Sequence, residues 1–425
     1  MTRFAGDVGW TLVTRVLTAA LGVGCSVLVA RVLGPGGQGA YASVFVLAQV
    51  LMGVSSLGVG KAAVYEMGRG RHPAAAVRSA TWRLGVRQAF VAGAAVGAAA
   101  WLAPRWLTDL EPVAVACAAP LVVFGLLLAF GQSLLRGAER ILACNLTDLG
   151  ASAVAFAAVA TCVLWSRAEV GWYVVARGLG PLVGLVAVLT LAGPGGAGRP
   201  DPAVARDLLS YGWVFLLFSV CLMLIYRSDV LMLTGFLGQR AAGLYSVATL
   251  AGEMFLFVPE AVLFVLLPRV ARRPEAVGAE ETARVCRLTV AVLALPAFAL
   301  VAAAPAVMTL LFGPAFREAA PMLQILVPAI VALSVFQILG TFFVGRGHQG
   351  WLARMAGVGL ALNVALNLWW IPRWGGCGAA WSSMAAYGWL AAATTRRFVR
   401  VARLRVADVL VVRGGDLSRT TRGGD

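Results

Sequence analysis

Charged side chains inside long apolar runs are the residues of this sequence that could carry chemistry, because a charge at membrane depth is costly and marks a functional site by default. Three cations, Arg15, Lys61 and Arg177, lie inside apolar runs of the first half of the chain. The acids of that half, Glu66 and Asp148, lie only at the ends of runs. An excess of positive charge suits a phosphate-bearing ligand, and the fork of arginine matches phosphate oxygens.

The same three cations have a second interpretation, in which long side chains reach the membrane surface. Arg15 and Lys61 lie about five and about three residues from the nearer ends of their runs, so both can snorkel to the interface. Arg177 lies about six residues inside its run, roughly 9 Å deep at the helical rise. Both interpretations stay open for each cation, and Arg177 is the deepest of the three.

The second half of the chain mixes acids and bases inside its runs. Arg227 and Glu253 lie at a common depth of roughly 12 to 13 Å, which predicts a structural ion pair because an unpaired charge there is expensive. Glu260 follows Glu253 by seven residues and therefore lies on the same helix face. A kink is expected beside it at Pro259. Glu260 is a candidate for carrying a proton.

Asp229 is the other acid inside a run of the second half. It is two residues from Arg227, so the two side chains point to opposite sides of their helix. Asn363 and Asn367 are four residues apart, on one helix face, and Ser383 lies in the last run. Asp229, Asn363 and Ser383 fall roughly 10 to 12 Å from the same surface. Oxygen ligands at one depth suit a hard cation, and hydrogen bonding between helices is the alternative.

The sequence shows no pattern of residues typical of a metal site or of a catalytic site. The two histidines, His72 and His348, are far apart and lie in connections between runs. The seven cysteines show no metal-ligand or CxxC spacing, and most lie in apolar runs as small buried hydrophobes. We therefore expect no metal site, no cofactor beyond a coupling Na⁺ or H⁺, and no enzyme activity.

The apolar runs that contain these residues predict an all-α integral membrane protein. Hydrophobic residues make up 60% of the chain and charged residues 13%, and the mean hydropathy is +0.85. A soluble domain carries about 25% charged residues. A spanning helix needs roughly 20 apolar residues, and twelve runs reach that length. They fall at about 10–33, 41–64, 88–107, 113–135, 146–166, 171–193, 211–236, 245–267, 286–312, 321–344, 352–371 and 376–395. The first run is too long for a signal sequence and is expected to be retained.

The positions of the basic residues predict the orientation of the runs. The net charge of +16 is a property that nucleic-acid-binding proteins share, but the charges lie between runs and in the tail. With the N-terminus inside, 25 of the 35 lysines and arginines fall on the cytoplasmic side and six on the outer side. This positive-inside bias predicts that both termini are cytoplasmic, and it argues against a nucleic-acid partner.

A repeated motif shows that one unit is used twice in the chain. The pattern Leu-Gly, four residues, Gly-x-Tyr ends the first run and again the seventh. The paired positions are Gly34 and Gly238, Gly39 and Gly243, and Tyr41 and Tyr245, all with an offset of 204. A chain with duplicated halves that enter and leave on one side predicts two parallel repeats with a substrate path between them. The predicted domains are lobes at 1–193 and 211–395, a cytoplasmic linker at 194–210 and a basic cytoplasmic tail at 396–425.

The stretches GWTLVTRVLTAALGVGCSVLVARVLGPGGQGAYASV and YRSDVLMLTGFLGQRAAGLYSVA resemble the polysaccharide and lipid-linked oligosaccharide flippases of the multidrug/oligosaccharidyl-lipid/polysaccharide exporter superfamily. The resemblance covers the chain to about residue 395. It implies a V-shaped pair of six-helix lobes that alternates between inward-open and outward-open states. It also implies a polyprenyl-pyrophosphate-linked glycan as cargo, with membrane lipid and glycan-assembly proteins as partners.

The cation set also resembles the sodium site of lipid II flippases. That site uses an acid on span 7, two polar ligands four residues apart on span 11, and span 12. Here Asp229, Asn363, Asn367 and Ser383 match those positions, but Asn367 stands where an acid is expected. Lipid II flippases also have two more spans than this chain.

The expected function is translocation of a lipid-linked oligosaccharide from the inner to the outer leaflet for cell-surface polysaccharide assembly. A drug/cation antiporter of the same fold is one alternative, and it would need acids in the cavity to meet cationic drugs. A membrane glycosyltransferase or polymerase is another. It would need a catalytic acid or base in a large outer loop, and the outer connections are short.

Overall fold

Every regular element among the residues that the structure describes is helical. The structure is a computed structural model that describes residues 2–106, 110–165, 167, 169–192 and 201–413. Two short 3-10 turns, Met254–Leu256 and Pro314–Ala319, join α-helices. The α-helices are α1 (Thr2–Ser55), α2 (Val59–Arg69), α3 (Ala74–Trp106), α4 (Pro112–Ala116), α5 (Ala119–Gly137), α6 (Ile141–Leu164), α7 (Val170–Ala192), α8 (Pro202–Glu253), α9 (Phe257–Arg272), α10 (Glu275–Phe312), α11 (Ala320–Gly345), α12 (Gln349–Ala402) and α13 (Val406–Leu410).

Three of the long helices are kinked at a glycine with positive φ, a conformation that side chains other than glycine rarely adopt. In α1 the break is at Gly34 (φ 67°, ψ −173°), and in α8 it is at Gly238 (φ 80°, ψ 179°). In α12 it is at Gly375 (φ 58°, ψ −138°). Gly34 and Gly238 are equivalent positions of the repeated motif. Their closely similar backbone angles confirm the predicted break and the equivalence of the two copies at this point.

The chain is an all-helical, multi-pass membrane protein. Nine stretches of the described residues are long and apolar enough to cross a membrane, where the sequence has twelve runs. The three stretches that contain a glycine break are 43, 71 and 54 residues long, well beyond the roughly 20 residues that one crossing needs. The difference in number arises because helical hydrogen bonding continues on both sides of each kink.

Several predicted boundaries differ from the observed ones. Met254–Leu256 forms a 3-10 turn, and Pro259 lies in the first turn of α9, where proline is tolerated because no helical N–H is lost. The irregularity therefore precedes the predicted kink position. Residues 202–210 of the predicted linker are already helical, and α12 continues to Ala402 into the predicted tail. Residues 193–200 and 414–425 lie outside the described part of the chain.

The chain divides into two compact units, Met1–Ser246 and Val247–Asp425. The boundaries of the predicted lobes, at residues 193 and 211, stay a prediction. In the first unit α5 packs against α2, α3 and α7, and α6 packs against α1 and α7. The large buried side chains of that unit include Phe130 and Tyr173. This packing leaves polar side chains of α1, α5, α6 and α7 around a common space, described below.

The first part of α8 runs antiparallel to the second part of α1 and to α2, all within the first unit. Ser43 Oγ lies 2.6 Å from Thr234 Oγ1. Further along, the rings of Tyr65 and Tyr211 stack with centroids 4.1 Å apart. Residue numbers rise along α1 and α2 while those of the facing residues of α8 fall, which is the pattern of antiparallel neighbours.

The two copies of the repeated motif contact each other through their glycines. A Cβ on Gly39 would lie 1.8 Å from the carbonyl oxygen of Gln239, and a Cβ on Gly243 would lie 1.8 Å from the carbonyl oxygen of Pro35. Pro35 and Gln239 are also related by the offset of 204, so the contact is reciprocal. Backbones can approach this closely only where a Cβ is missing, as small residues allow between membrane helices. The motif is therefore a packing surface for its own second copy.

The second unit is built around α11, which is largely buried and packs against α9, α10 and α12. At one end of α11 the rings of Phe342 and Phe343 meet Phe398 of α12 edge to face. The guanidinium of Arg397 lies 4.4 Å from the ring centroid of Trp351, a cation–π contact. The ring centroids of Phe343 and Trp351 are 5.1 Å apart, so aromatic packing joins α11 to both ends of α12.

The short α13 packs on α10. Val409 is fully buried, and Arg287 donates to the backbone carbonyl of Asp408. The backbone N–H of Arg405 donates to the Asp408 carboxylate at 2.9 Å. This bond, together with the Arg413 side chain, holds the pKa of Asp408 below its usual value. The segment after α12 is therefore fixed to the second unit as far as residue 413.

Candidate functional site

A polar cavity of about 470 Å³ lies within the first unit. Apolar side chains form much of its wall, and the polar side chains that line it are Gln49, Ser56, Gln132, Asp148, Ser152 and Arg177. They come from α1, α5, α6 and α7, with Ser56 directly after α1. We call this space the Arg177 cavity. Its size and its few polar groups are typical of sites for small molecules or headgroups.

The local sequence of α7 brings Arg177 to the cavity. A Cβ on Gly178 would lie 3.0 Å from the backbone nitrogen of Leu121, and one on Gly180 would lie 2.3 Å from the carbonyl oxygen of Ala151. The two glycines that follow Arg177 therefore let α7 approach α5 and α6. Pro181, four residues after Arg177, also lines the cavity and has no N–H for the Arg177 carbonyl.

Two buried donors beside this cavity have no acceptor. Arg177 Nη1 and Gln132 Nε2 are both buried, and neither has a hydrogen-bond partner among the described residues. The guanidinium of Arg177 lies 5.5 Å from the ring centroid of Phe45. That contact stabilises a cation but accepts no ordinary hydrogen bond. Buried polar groups are nearly always satisfied by protein or ordered water, so these two donors are available to a ligand with acceptor oxygens.

One acid lines the same cavity. Asp148 lies near the end of its predicted run, and its exposed side chain borders the Arg177 cavity. Both residues belong to the described part of the chain, and no ion pair joins Asp148 to Arg177. The acid therefore leaves the Arg177 charge uncompensated by direct contact.

The other two predicted cations lie elsewhere. Lys61 lines a second, smaller cavity of about 230 Å³ in the first unit and donates to Ser219 Oγ at 2.6 Å. Arg15 is on an exposed face of α1 and borders neither cavity. The structure thus assigns Arg177 and Lys61 to different cavities. A role of Arg15 in binding stays a prediction.

The predicted cation-site residues are buried. Asp229 accepts a 2.6 Å hydrogen bond from the hydroxyl of Tyr245, the last residue of the repeated motif. In the second unit, Asn367 Nδ2 donates to Asn363 Oδ1 at 3.1 Å, and Ser383 is fully buried. The structure confirms that the two asparagines share a face. A cation site made by all four residues stays a prediction.

The remaining predicted residues are less buried. Arg227 and Glu253 are half-buried, and their ion pair stays a prediction. Glu260 is exposed. A 3-10 turn separates it from Glu253, so the seven-residue spacing does not place the two acids on a common face of a regular helix.

Residues that sequence reasoning missed include Gln132, Asp148 and Arg136. Gln132 is the only glutamine of the run at 113–135, and this is the signal that the sequence offers for it. Arg136 lies just beyond the end of that run and is one of the 25 basic residues predicted on the cytoplasmic side, and it lines the same cavity as Lys61. The sequence carries no signal for that placement, because the spacing along a helix does not show which neighbours surround its end.

Comparison with known structures shows the fold. The chain is similar to the lipid II flippase MurJ in an inward closed conformation, with a TM-score of 0.77 and 10% identity, covering 93% of this chain and 90% of that one. It is also similar to an inward-facing multidrug resistance MATE family transporter of the MOP superfamily, with a TM-score of 0.68 and 15% identity, covering 91% of this chain and 96% of that one. A third similar structure is a MOP superfamily transporter from Pyrococcus furiosus, with a TM-score of 0.62 and 15% identity, covering 92% of this chain and 94% of that one. No curated protein sequence matches the chain.

Comparison with protein families gives the family. The sequence pattern of the family described as polysaccharide biosynthesis protein matches residues 4–272, which is more than half of the chain and includes both copies of the repeated motif. The chain therefore belongs to the polysaccharide biosynthesis protein family, and it is a multi-pass membrane protein with the fold of the MOP superfamily.

Proposed function

We propose that this protein is a flippase that moves a polyprenyl-pyrophosphate-linked oligosaccharide from the inner to the outer leaflet of the cytoplasmic membrane, by alternating access. The lipid tail remains in the bilayer while the charged headgroup crosses through the protein. No covalent chemistry is required. Translocation of this cargo supplies glycan units for polysaccharide assembly at the cell surface, in line with the family to which the chain belongs.

The observation that carries this proposal is the buried, unpaired donor pair at the Arg177 cavity. Arg177 Nη1 and Gln132 Nε2 need acceptors, and pyrophosphate oxygens are strong acceptors that carry the opposite charge. A cationic substrate would leave both donors unsatisfied and would meet the guanidinium at close range. The donor chemistry therefore supports an anionic headgroup.

We further propose twelve spans with both termini in the cytoplasm. The breaks at Gly34, Gly238 and Gly375 divide three long stretches, so the nine candidate spans contain twelve helical segments. The distribution of lysine and arginine supports this orientation. The first six spans and the last six would then form two lobes, as the parallel repeat suggests.

A drug/cation antiporter is the second candidate, and Asp148 is the observation that favours it. A carboxylate in the cavity is the group that a cationic drug would meet. The fold favours transport over a membrane glycosyltransferase or polymerase, because the similar solved structures are a flippase and a transporter. The two remaining functions differ in the charge of the cargo, and a transport assay separates them.

The function can be tested with purified protein in liposomes that contain a polyprenyl-pyrophosphate-linked oligosaccharide. We expect the glycan of labelled lipid to become accessible to a glycosidase added outside, faster than in protein-free liposomes. Matched liposomes loaded with tetraphenylphosphonium test the antiporter. Movement of the cation without movement of the lipid would overturn the flippase proposal.

Ion coupling can be tested through Asp229. If Asp229 supplies the charge of a cation site with Asn363, Asn367 and Ser383, ion binding can bias the transport cycle only through its differential affinity for the two states. Asp229→Asn should then remove the sodium dependence of transport in vesicles with imposed sodium and proton gradients. Tyr245→Phe, which removes the hydrogen bond to Asp229 and keeps the carboxylate, should retain it.

Sodium dependence that is unchanged in Asp229→Asn would rule out this site. A protein driven only by protons would direct attention to Glu260.

A further inference from the structure

The second cavity of the first unit contains two cations. It has a volume of about 230 Å³ and is lined by residues of α1, α2, α5 and α8. Lys61 of α2 and Arg136 of α5 both border it, as do the hydroxyls of Ser56, Ser133 and Ser219. We call this space the Lys61–Arg136 cavity.

Neither cation has an acid partner in the described part of the chain. Lys61 Nζ donates to the neutral hydroxyl of Ser219 at 2.6 Å, and an ammonium has two further donors. Arg136 donates to the amide oxygen of Gln132 at 3.4 Å and lies 3.3 Å from the sulfur of Cys144, and both acceptors are neutral. The cavity therefore holds two positive charges that no side-chain carboxylate compensates.

We propose that the Lys61–Arg136 cavity is a separate binding site for the pyrophosphate of the cargo, distinct from the Arg177 cavity. A pyrophosphate diester carries two negative charges, which match the two cations. The ammonium acts as a compact charge and the guanidinium as a planar fork, and both are used to bind phosphates. This inference rests on the proposed function, because it assigns a second station to the same headgroup.

The position of the cavity supports a sequential path. The Lys61–Arg136 cavity and the Arg177 cavity share a wall formed by Gly53, Ser56, Leu126 and Ala129. Lys61 lies near one end of its predicted span, whereas Arg177 lies deeper in its own. An anion that leaves Lys61 and Arg136 would thus meet Arg177 next, so the headgroup is never far from a cation during its passage.

The test measures how many molecules of farnesyl pyrophosphate the full-length protein binds in detergent, by equilibrium dialysis with radiolabelled probe. The wild-type protein should bind two. Lys61→Gln with Arg136→Gln should bind one, Arg177→Gln should bind one, and the triple variant none. Each single change at Lys61 or Arg136 should weaken its site about tenfold, the loss of one charge-assisted hydrogen bond.

Arg140→Gln is the matched control, since Arg140 is an exposed arginine four residues from Arg136 that bonds the carbonyl of Leu191 and borders neither cavity. It should bind two probe molecules. Lys61→Arg, which keeps the charge, should also bind two. Thermal unfolding of each variant separates loss of the site from loss of the fold.

Binding of two probe molecules by the Lys61→Gln, Arg136→Gln variant would overturn the second site. Displacement of one probe molecule by equimolar phosphatidylglycerol would overturn it as well, because the cavity would then bind bulk lipid headgroups. Failure of the proposed function appears differently: Arg177→Gln would transport the lipid-linked glycan normally, whatever the stoichiometry at Lys61 and Arg136.

Discussion

Arg177→Ala is expected to abolish transport of the lipid-linked glycan while the protein still folds and enters the membrane. Arg177 provides a buried donor that has no acceptor within the described residues. Charge-assisted hydrogen bonds contribute about 1.5 to 3 kcal/mol each. Loss of two such bonds to a pyrophosphate would lower affinity about a hundredfold or more. The measurement is the initial rate at which labelled glycan becomes accessible in liposomes.

Arg177→Lys separates charge from geometry at the same position. Lysine keeps the positive charge but lacks the planar fork that meets two phosphate oxygens. We expect partial activity, about tenfold below the wild-type rate, because one of two charge-assisted bonds is lost. Full transport in Arg177→Ala would show that the headgroup does not need this side chain, and the observation that carries the flippase proposal would be lost.

Asp148→Asn distinguishes the two candidate functions at the same cavity. Removal of this carboxylate should leave transport of an anionic headgroup unchanged or raise it, because a like charge is removed from the binding space. A drug/cation antiporter should lose transport of tetraphenylphosphonium in the same variant. Anion transport should persist and cation transport should be lost, so one pair of assays on Asp148→Asn decides between the functions.

The repeated motif shows how far sequence reasoning reaches. Gly34 and Gly238 were paired by the offset of 204 alone, and the structure gives them closely similar left-handed backbone angles. The prediction succeeds because such a conformation is restricted to glycine by sterics, which is a local property. The contact between the two copies could not be predicted in this way. It joins Gly39 and Gly243, which are far apart in sequence, and no local rule predicts such a contact.

The side chains around the cavities show where sequence reasoning stops. Depth along a helix can be counted from the sequence, and the count puts Arg177 deeper than Arg15 and Lys61. The sequence does not show which helices surround a residue at that depth, so it does not predict that Asp148 and Gln132 lie near Arg177. The bond between Asp229 and Tyr245 crosses the kink at Gly238. The periodicity of a single helix gives no rule for residues on opposite sides of such a kink.

Glycines make backbone contacts at both ends of the antiparallel pair that α8 forms with α1 and α2. We call the end that contains Gly39 and Gly243 the motif end. At the opposite end of the antiparallel pair, a Cβ on Gly212 would lie 2.4 Å from the carbonyl oxygen of Leu57. Each end is therefore closed by backbone contact that tolerates no side chain. In an alternating-access transporter, such contacts can hold one side shut while the other opens.

Gly39→Ala should force the motif end apart. The added Cβ would lie 1.8 Å from a backbone oxygen, and overpacking of this kind costs about 1 to 3 kcal/mol. That cost corresponds to a shift of about 5-fold to 150-fold in population toward states in which the motif end is open. A cysteine at Ser43, which is fully buried, reports the change. In a background without the seven native cysteines, Ser43→Cys should react with a thiol reagent much faster when Gly39→Ala is present.

Three further variants make this result specific to the glycine contact. Gly243→Ala, the reciprocal change, should raise the reactivity of Ser43→Cys as Gly39→Ala does. Gly36→Ala is the control, because a Cβ there meets nothing within 4 Å, and it should leave the reactivity low. Gly212→Ala loosens the opposite end and should also leave it low, while transport falls because one closed state is disfavoured. Equal reactivity in Gly39→Ala and Gly36→Ala would show that the motif end opens without regard to these glycines, and that their close approach is packing alone.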